Sequence, residues 1–227
     1  MSEPLASEVA GPAPLGIFGG TFDPVHYGHL RLAEEAVLQL GLAGVRWIPA
    51  GRPPHRGTPQ VSGEQRLAMV LRSTAENPLF SVDPAEVQAA APSYTVATLE
   101  RLRGELGPVQ PLVLLVGADA FAGLSTWHRW RELLALAHLG VSHRPGFPIA
   151  ADSLSPELAE VFVRCHSDDP AVLAEAPAGR IVSFAMTQLA ISATQIRKLL
   201  ANGLSPRYLL PETVLDYIQT HQLYRSH

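Results

Sequence analysis

The sequence predicts an α/β fold in which a parallel sheet is wrapped by helices. Short apolar runs alternate along the chain with stretches of helical periodicity, which is typical of this class. The first apolar run leads through paired glycines into a helix start, the local pattern of a strand, a loop and a helix. The 227 residues are enough for one full-sized core, so we expect a single domain over residues 15–227.

The predicted elements follow this alternation in order. The strand candidates are Leu15–Phe18, Val45–Ile48, Phe80–Val82, Leu112–Val116, Leu139–Ser142 and Ile181–Phe184. A helix is predicted over His29–Leu40, because its apolar residues form one stripe, and Gly41 is expected to end it. Ser62 and Gln65 have the spacing of a capping box and predict the start of another helix.

Three segments are less regular. Residues 1–14 carry Glu3 and Glu8 in place of a basic start and an apolar run, so we expect a flexible leader and not a signal peptide. The stretch 49–63 contains four prolines and predicts a long functional loop after the second strand. Only a helix over Pro156–Val163 is predicted within the stretch 146–179.

Composition excludes several classes of function. A net charge of −4 gives no general attraction to nucleic acid or to an anionic membrane surface. No apolar run reaches the roughly 18 residues that would cross a bilayer. The single cysteine, Cys165, excludes an internal disulfide framework and suits a reducing cytoplasm, where we expect the protein to act. The sequence is compatible with a homo-oligomer.

The most informative segment is residues 16–29, which read GIFGGTFDPVHYGH. Gly19 and Gly20 can adopt backbone angles closed to other residues and let a bulky anion approach the main chain. The helix that follows offers unpaired N–H groups and the positive end of its dipole. His26 and His29 lie on one face of its first turn, so both imidazoles could donate to one phosphate chain, and nearby anions favour their protonated forms. A nucleotide phosphate fits this loop.

Other interpretations of the segment are less consistent with its residues. It lacks both the GxGxxG order of a dinucleotide loop and the GK(S/T) ending of a P-loop. A zinc site is disfavoured because no cysteine or third ligand lies near the two histidines in sequence. A single helical histidine is usually structural or solvated, but the paired histidines and flanking glycines together favour phosphate binding.

A second anion-binding pattern occurs far along the chain, in the segment ISATQIR at 191–197. Ser192 and Gln195 again have capping-box spacing after a predicted strand, and the helix is expected to end near Asn202. Thr194 and Arg197 project from its first turn, where the dipole favours anions and a guanidinium suits phosphate. Alone, the pattern is more typical of a capped surface helix with a solvated arginine, because capping boxes are common; the first loop is what favours anion binding.

Together, GGTFDPVHYGH and ISATQIR resemble the two signatures, HxGH and ISSTxxR, of a nucleotidyltransferase superfamily. Within it, residues 15–225 look most like the bacterial nicotinate-nucleotide adenylyltransferases. Further matching segments are PPHR at 53–56, PSYT at 92–95, VGAD at 116–119, Trp127 with Trp130, and the C-terminal YLLP at 208–211. The chain departs from the usual motifs at Ala193, where serine is commoner, and at Arg56, where lysine is usual.

The resemblance implies a doubly wound, Rossmann-like sheet and a reaction in which ATP and nicotinate mononucleotide give deamido-NAD and pyrophosphate, with Mg²⁺ bound mainly through the ATP phosphates and no protein-built metal site. The acceptor phosphate is the nucleophile and is largely dianionic at neutral pH, so no general base is needed. The residues expected to stabilise the developing charge are His26, His29 and Arg197. The ATP-binding set adds Gly19, Gly20, Thr21, Phe22, Gly117, Asp119, Ser192 and Thr194.

The acceptor pocket is predicted from the same resemblance. Trp127 is expected to stack on the pyridine ring, and Tyr94 and Thr95 to bring main-chain N–H groups to the nicotinate carboxylate. Arg56 is expected to contact the acceptor phosphate as the loop 49–63 closes. Core packing remains the alternative for Tyr94 and for Trp130, because aromatic side chains bury so much area.

Two other functions were compared with this one. A transferase of the same superfamily acting on another acceptor, such as phosphopantetheine, would share both phosphate motifs but not the SYT segment at 93–95 or Trp127. A non-catalytic nucleotide sensor would be expected to lose one of His26, His29 and Arg197, and all three are present.

Overall fold

A computed structural model describes residues 11–53 and 58–225. Within these residues seven strands form one sheet. They are β1 Leu15–Gly20, β2 Gly44–Pro49, β3 Phe80–Val82, β4 Leu112–Gly117, β5 His138–His143, β6 His166–Ser167 and β7 Ile181–Ala185. The order across the sheet is β3-β2-β1-β4-β5-β7-β6, and every pair is parallel. The six predicted strands are confirmed. The edge strand β6 was not predicted, because its two residues are too few to show a periodicity.

Helices connect the strands. Their bounds are α1 Tyr27–Leu40, α2 Gly63–Thr74, α3 Ala85–Gln88, α4 Thr95–Leu106, α5 Ala118–Ala122, α6 Leu133–Leu136, α7 Pro156–Cys165, α8 Val172–Glu175, α9 Ala193–Ala201 and α10 Glu212–Thr220. None of the helices in the described part of the chain is both long and apolar enough to cross a membrane.

The helices cover both faces of the sheet, and each face has its own apolar core. Neighbouring strand residues point to opposite faces, so Phe18 and Val113 lie in one core while Ile17 and Leu114 lie in the other. The first core also takes residues from α1, α2, α9 and α10. The second takes residues from α4, α5 and α7. This arrangement is the predicted doubly wound α/β fold.

The predicted helix ends are largely confirmed. Gly41 terminates α1 in the left-handed conformation, with φ of 62°. Ser62 and Gln65 form the predicted reciprocal capping box before α2. Helix α1 begins two residues earlier than predicted, at Tyr27, and α7 runs two residues further than predicted, to Cys165. Shifts of this size are usual at helix ends.

The strand order places a crevice between β1 and β4. Within the sheet, β1 has β2 as its neighbour on one flank and β4 as its neighbour on the other flank. Helices that diverge in this way leave an opening at the carboxyl ends of the two strands, where open parallel sheets bind ligands. Gly20 ends β1 and Gly117 ends β4. Both belong to the predicted ATP-binding set.

Candidate active site

The loop after β1 approaches the crevice with little side-chain cover. A Cβ atom at Gly19 would meet no atom within 4 Å, so the main chain is open to a large ligand there. A Cβ atom at Gly20 would lie 2.7 Å from the ring of Phe22, a contact that only glycine avoids. Phe22 itself has a φ of 50° and is buried. This local turn directs the chain away from the sheet and toward α1.

Aromatic rings pack between the loop after β1 and the core of the sheet. The rings of Phe18, Phe22 and Trp47 contact one another at centroid distances of 4.9 to 5.5 Å. The ring of His29 meets that of Phe22 edge to face at 5.1 Å. Because Phe18 and Trp47 belong to the sheet core, His29 is held against a rigid apolar base at the crevice.

The two predicted histidines lie together at the start of α1. Their rings stack with centroids 3.8 Å apart. The backbone N–H of His26 donates to Nδ1 of His29 at 3.3 Å. An accepting Nδ1 places the proton of a neutral His29 on Nε2, which therefore serves as a donor.

His26 is the more buried of the pair, with 6% of its surface exposed. Burial lowers its pKa to about 4, so the imidazole is neutral at pH 7 in the ligand-free protein. A neutral imidazole still donates through one nitrogen. The predicted protonation of the histidines therefore concerns the phosphate-bound state, in which added negative charge would raise this pKa.

Helix α9 brings the second motif to the same place. The Ser192 hydroxyl accepts the backbone N–H of Gln195 at 3.1 Å and caps the helix, as predicted. Arg197 donates from Nη1 to the backbone carbonyl of Asp23 at 2.7 Å and from Nη2 to the Thr194 hydroxyl at 3.3 Å. The structure therefore joins the two motifs, which are far apart in sequence, through one guanidinium.

Asp23 connects this region to two further segments. Its carboxylate accepts the Tyr224 hydroxyl at 2.7 Å and the backbone N–H of Gln60 at 2.9 Å. Burial and the Asp23 charge raise the pKa of Tyr224, so this phenol stays protonated as a donor. Asp23 was not predicted as a site residue. An Asp-Pro pair signals a turn, and nothing in the local pattern names its distant partners.

The end of β4 supplies the other wall of the crevice. Gly117 precedes α5, and Asp119 lies in the first turn of that helix. Both residues lie at the carboxyl end of β4, and their predicted contact with the adenosine ribose stays a prediction. A Cβ atom at Gly117 would have only the Ser142 hydroxyl within reach, at 3.9 Å.

The two segments predicted to bind the acceptor, around Tyr94 and around Trp127, also lie close together. The ring of Tyr94 packs on that of His128 at 4.4 Å, next to Trp127 in sequence. Trp127 is half-buried, whereas Trp130 is 7% exposed and belongs to the core, so core packing accounts for Trp130. His128 was not predicted, because it belongs to no recognised motif.

The predicted acceptor turn, residues 94–95, has two main-chain N–H groups, and these differ in their partners. Thr95 is the first residue of α4, so its N–H has no acceptor within the helix. The Tyr94 N–H donates to the carbonyl of Pro92 at 3.1 Å. Of the two predicted donors, Thr95 is therefore the more readily used by a ligand.

Unpaired buried nitrogens cluster around the first loop. Within the described residues, four buried side-chain nitrogens have no hydrogen-bond partner, on His26, Trp47, Arg66 and Arg197. Each of these residues belongs to the segment 18–26 or contacts it. An unpaired buried polar group costs about 1–3 kcal/mol. Such costs are typical of functional sites, where local rules of stability are broken.

Comparison with known proteins agrees with this geometry. A family model described as cytidylyltransferase-like matches residues 17–199. The chain is 71% identical over 213 residues to the probable nicotinate-nucleotide adenylyltransferase of Dechloromonas aromatica, covering 94% of this chain and 98% of that protein. It is 50% identical to the protein of the same name from Pseudomonas aeruginosa UCBPP-PA14, covering 93% and 97%. The chain belongs to the nicotinate-nucleotide adenylyltransferase family.

Solved structures show the same fold. The nicotinic acid mononucleotide adenylyltransferase of Plasmodium falciparum complexed with NaAD superposes with a TM-score of 0.67, at 17% identity, over 93% of this chain and 97% of that one. The same enzyme complexed with APC gives a TM-score of 0.65 over the same shares. At this identity the likeness concerns the fold.

The two departures from the family motifs have different outcomes. Ala193 is the first residue of α9 and stands between Ser192 and Thr194, so both flanking hydroxyls are retained at the helix start. Arg56, predicted to contact the acceptor phosphate, lies outside the described residues. Its role stays a prediction.

Proposed function

We propose that this protein transfers AMP from ATP to nicotinate mononucleotide in NAD biosynthesis, giving deamido-NAD and pyrophosphate in the cytoplasm. The names of its close relatives support this reaction. The observation that carries the proposal is the hydrogen bond from Arg197 to Asp23, because it joins two anion-binding helix starts at the switch point of the sheet. A site of this kind suits a reaction between two polyanions.

The chemistry requires alignment and charge stabilisation more than proton transfer. The acceptor phosphate has a second pKa of about 6, so it is largely a dianion at pH 7 and attacks the α-phosphorus of ATP without a general base. One P–O bond forms as the bond to pyrophosphate breaks, in line and without a covalent enzyme intermediate. The enzyme must hold both reactants and offset the charge that builds up on the α-phosphate and pyrophosphate.

We assign that work to three side chains. His29 would donate from Nε2, because its Nδ1 already accepts the His26 N–H. His26 would donate as a neutral imidazole or, with anions bound, as an imidazolium. Arg197 supplies a permanent charge from the side of α9. The hydroxyls of Ser192 and Thr194 would bind the β- and γ-phosphates at the start of that helix.

The remainder of ATP would lie along the carboxyl edge of β1 and β4. The open main chain at Gly19 and Gly20 lets phosphate approach closely, and Thr21 and Phe22 would supply backbone donors. By resemblance to the family, Gly117 at the end of β4 and Asp119 in the first turn of α5 would face the adenosine ribose.

Mg²⁺ is proposed to enter on the nucleotide. No group of three His, Cys, Asp or Glu side chains among residues 11–53 and 58–225 is placed to hold a metal ion. We therefore assign no protein side chain to the ion. It would be held by phosphate oxygens and water, the usual state of Mg²⁺ in nucleotide sites. When bound, the ion offsets phosphate charge.

The acceptor would bind beside the start of α4, next to Trp127. Trp127 would stack on the pyridine ring, and the N–H groups at Tyr94 and Thr95 would meet the nicotinate carboxylate. Arg56 would contact the mononucleotide phosphate. Donors directed at a carboxylate would leave the NH₂ of an amide without acceptors, so we expect the acid to be preferred over nicotinamide mononucleotide.

The proposal is tested by measuring pyrophosphate release with ATP, Mg²⁺ and a panel of acceptors. We expect release that depends on nicotinate mononucleotide, with deamido-NAD as the product identified by mass spectrometry. Nicotinamide mononucleotide should react at least about a hundredfold less efficiently, and phosphopantetheine not at all. Equal use of another acceptor, or no release with nicotinate mononucleotide, would refute the assignment.

A further inference from the structure

Arg66 is an almost fully buried cation at the base of the candidate site. It lies in the first turn of α2 and has 1% of its surface exposed. Its guanidinium donates to the carbonyl of Thr21 at 2.7 Å and to the carbonyl of Gly51 at 3.0 Å. The Thr21 carbonyl follows β1 and the Gly51 carbonyl follows β2. A single side chain therefore connects the loop after β1, which is the proposed ATP phosphate loop (residues 19–22), to the start of the loop after β2.

Gly51 is also held from its other side. Its N–H donates to the Ser93 hydroxyl at 2.9 Å, and the N–H of Arg52 donates to the same oxygen at 3.1 Å. The Ser93 N–H returns a bond to the carbonyl of Arg52 at 3.0 Å. Ser93 immediately precedes the acceptor turn at Tyr94, so the contacts run continuously from the phosphate loop to the acceptor turn.

The surroundings of Gly51 leave no room for a side chain at that position. A Cβ atom there would lie 2.0 Å from the carbonyl oxygen of Glu86. The Glu86 carboxyl also accepts the Thr98 hydroxyl at 2.5 Å and bonds to the Ser93 side chain. The segment is therefore enclosed by α3 and α4 as well as by Arg66.

Stability alone is a poor explanation for this arrangement. Among the described residues, Arg66 has no carboxylate within hydrogen-bond distance, and its Nε is unpaired. The carboxylates of Asp23 and Glu64 act on its charge only through space. A buried charge that is bonded to two neutral carbonyls is costly, and apolar residues would fill such a position at lower cost. The planar guanidinium of Arg66, however, fixes the separation between the carbonyl oxygens of Thr21 and Gly51.

We propose that Arg66 is a positioning residue that, through Gly51 and Ser93, sets the acceptor turn at a fixed distance from the ATP phosphate loop. The inference rests on the proposed adenylyl transfer. Arg66 would contact neither substrate. Its effect would be to align the acceptor phosphate with the α-phosphorus, and misalignment of about 1 Å can lower a rate by about a hundredfold.

The first test is the substitution Arg66→Lys, which keeps the charge but not the fork. We expect kcat/KM for nicotinate mononucleotide to fall about 10- to 100-fold, while the Kd of ATP measured without acceptor stays within about threefold. Ser93→Ala removes the hydroxyl that accepts the N–H groups of Gly51 and Arg52, and should lower kcat/KM for nicotinate mononucleotide by a similar factor. In the double variant the two losses should not multiply, because one linkage is already broken.

Arg103→Lys is the matched control. The Arg103 guanidinium also donates to backbone carbonyls, those of Leu136, Gln110 and Pro177, but at the amino end of β4. This variant should lose thermal stability yet keep kcat/KM within about twofold. Amide hydrogen exchange gives a readout independent of turnover, and exchange at Gly51 and Arg52 should speed up in Arg66→Lys but not in Arg103→Lys.

The outcomes separate the two proposals. A parent protein with no release dependent on nicotinate mononucleotide would refute the function. An active parent with Arg66→Lys within threefold of its kcat/KM, or losses that multiply in the double variant, would refute the positioning role alone. Unchanged amide exchange at Gly51 in Arg66→Lys would also contradict that role.

Discussion

The Arg197 guanidinium donates a 2.7 Å hydrogen bond to the backbone carbonyl of Asp23. This bond fixes the start of α9 against the loop that follows β1. Because the Nε of Arg197 is buried and unpaired, the guanidinium is held by a few directed contacts and not by solvent. The relative position of the two anion-binding helix starts therefore depends on the planar geometry of one side chain.

Arg197→Lys should lower kcat by about a hundredfold, the scale for the loss of one preorganised donor. A lysine keeps the charge but cannot bond both the Asp23 carbonyl and the Thr194 hydroxyl in one plane. Steady-state pyrophosphate release measures the effect. Arg131→Lys is the control, since Arg131 is exposed and pairs with Glu157. A kcat within threefold of the parent in Arg197→Lys would contradict the role.

His29→Asn separates donation from helix capping. The asparagine can still accept the His26 N–H but lacks the donor that His29 carries at Nε2. We expect kcat to fall about a hundredfold while the free energy of unfolding changes by less than about 1 kcal/mol. His221→Ala, at the exposed end of α10, should leave kcat unchanged. Near-parental turnover in His29→Asn would remove His29 from the mechanism.

The stability of the ligand-free protein should fall as the pH drops from 6.5 toward 4 because of His26. In this window the unfolded chain binds a proton at His26, whereas the folded protein, with the pKa lowered to about 4, does not. The difference corresponds to about 3 kcal/mol. Burial also lowers the pKa of His138, so that residue adds to the slope in the same direction.

Urea unfolding over this pH range, compared between the parent and His26→Asn, isolates the His26 contribution. Asparagine suits the position before α1 and does not titrate. The variant should show a shallower decline in the free energy of unfolding between pH 6.5 and pH 4. Parallel curves for the two proteins would show that His26 is not buried as a neutral imidazole.

Trp127→Ala should weaken the acid and amide acceptors to a similar degree. Stacking cannot distinguish nicotinate from nicotinamide, since both rings present the same face. Discrimination would come from the main-chain donors near Thr95, where an amide leaves its own hydrogens unpaired at about 1–3 kcal/mol per buried group. The ratio of the two kcat/KM values should stay within about fivefold of the parent ratio. A variant that loses discrimination would disprove this account of the pocket.

Local patterns predicted most of the fold. The six longer strands were visible as apolar runs, and Ser62 and Ser192 marked helix starts through capping spacing that the structure confirms. The two phosphate motifs were assigned to one site through the resemblance to the nucleotidyltransferase signatures, and the hydrogen bond from Arg197 to Asp23 joins them in the structure. The two-residue strand β6 had no detectable pattern.

Residues that act through distant contacts could not be predicted. The bonds that Asp23 makes to Gln60 and Tyr224, and those that Arg66 makes to Thr21 and Gly51, join segments that are distant in sequence. Only the packed tertiary structure brings these groups together. In the sequence, Arg66 is one polar residue within an amphipathic helix and has no feature that indicates burial.

The stereochemical course at the α-phosphorus tests the central claim most directly. If the two motifs align ATP with the acceptor phosphate for one in-line displacement, ATP with a chiral thiophosphate at the α position should give the thio-dinucleotide with inverted configuration. Phosphorus NMR of the product, compared with a standard of known configuration, distinguishes inversion from retention. Retention would require two displacements through a covalent adenylyl-enzyme and would contradict the account.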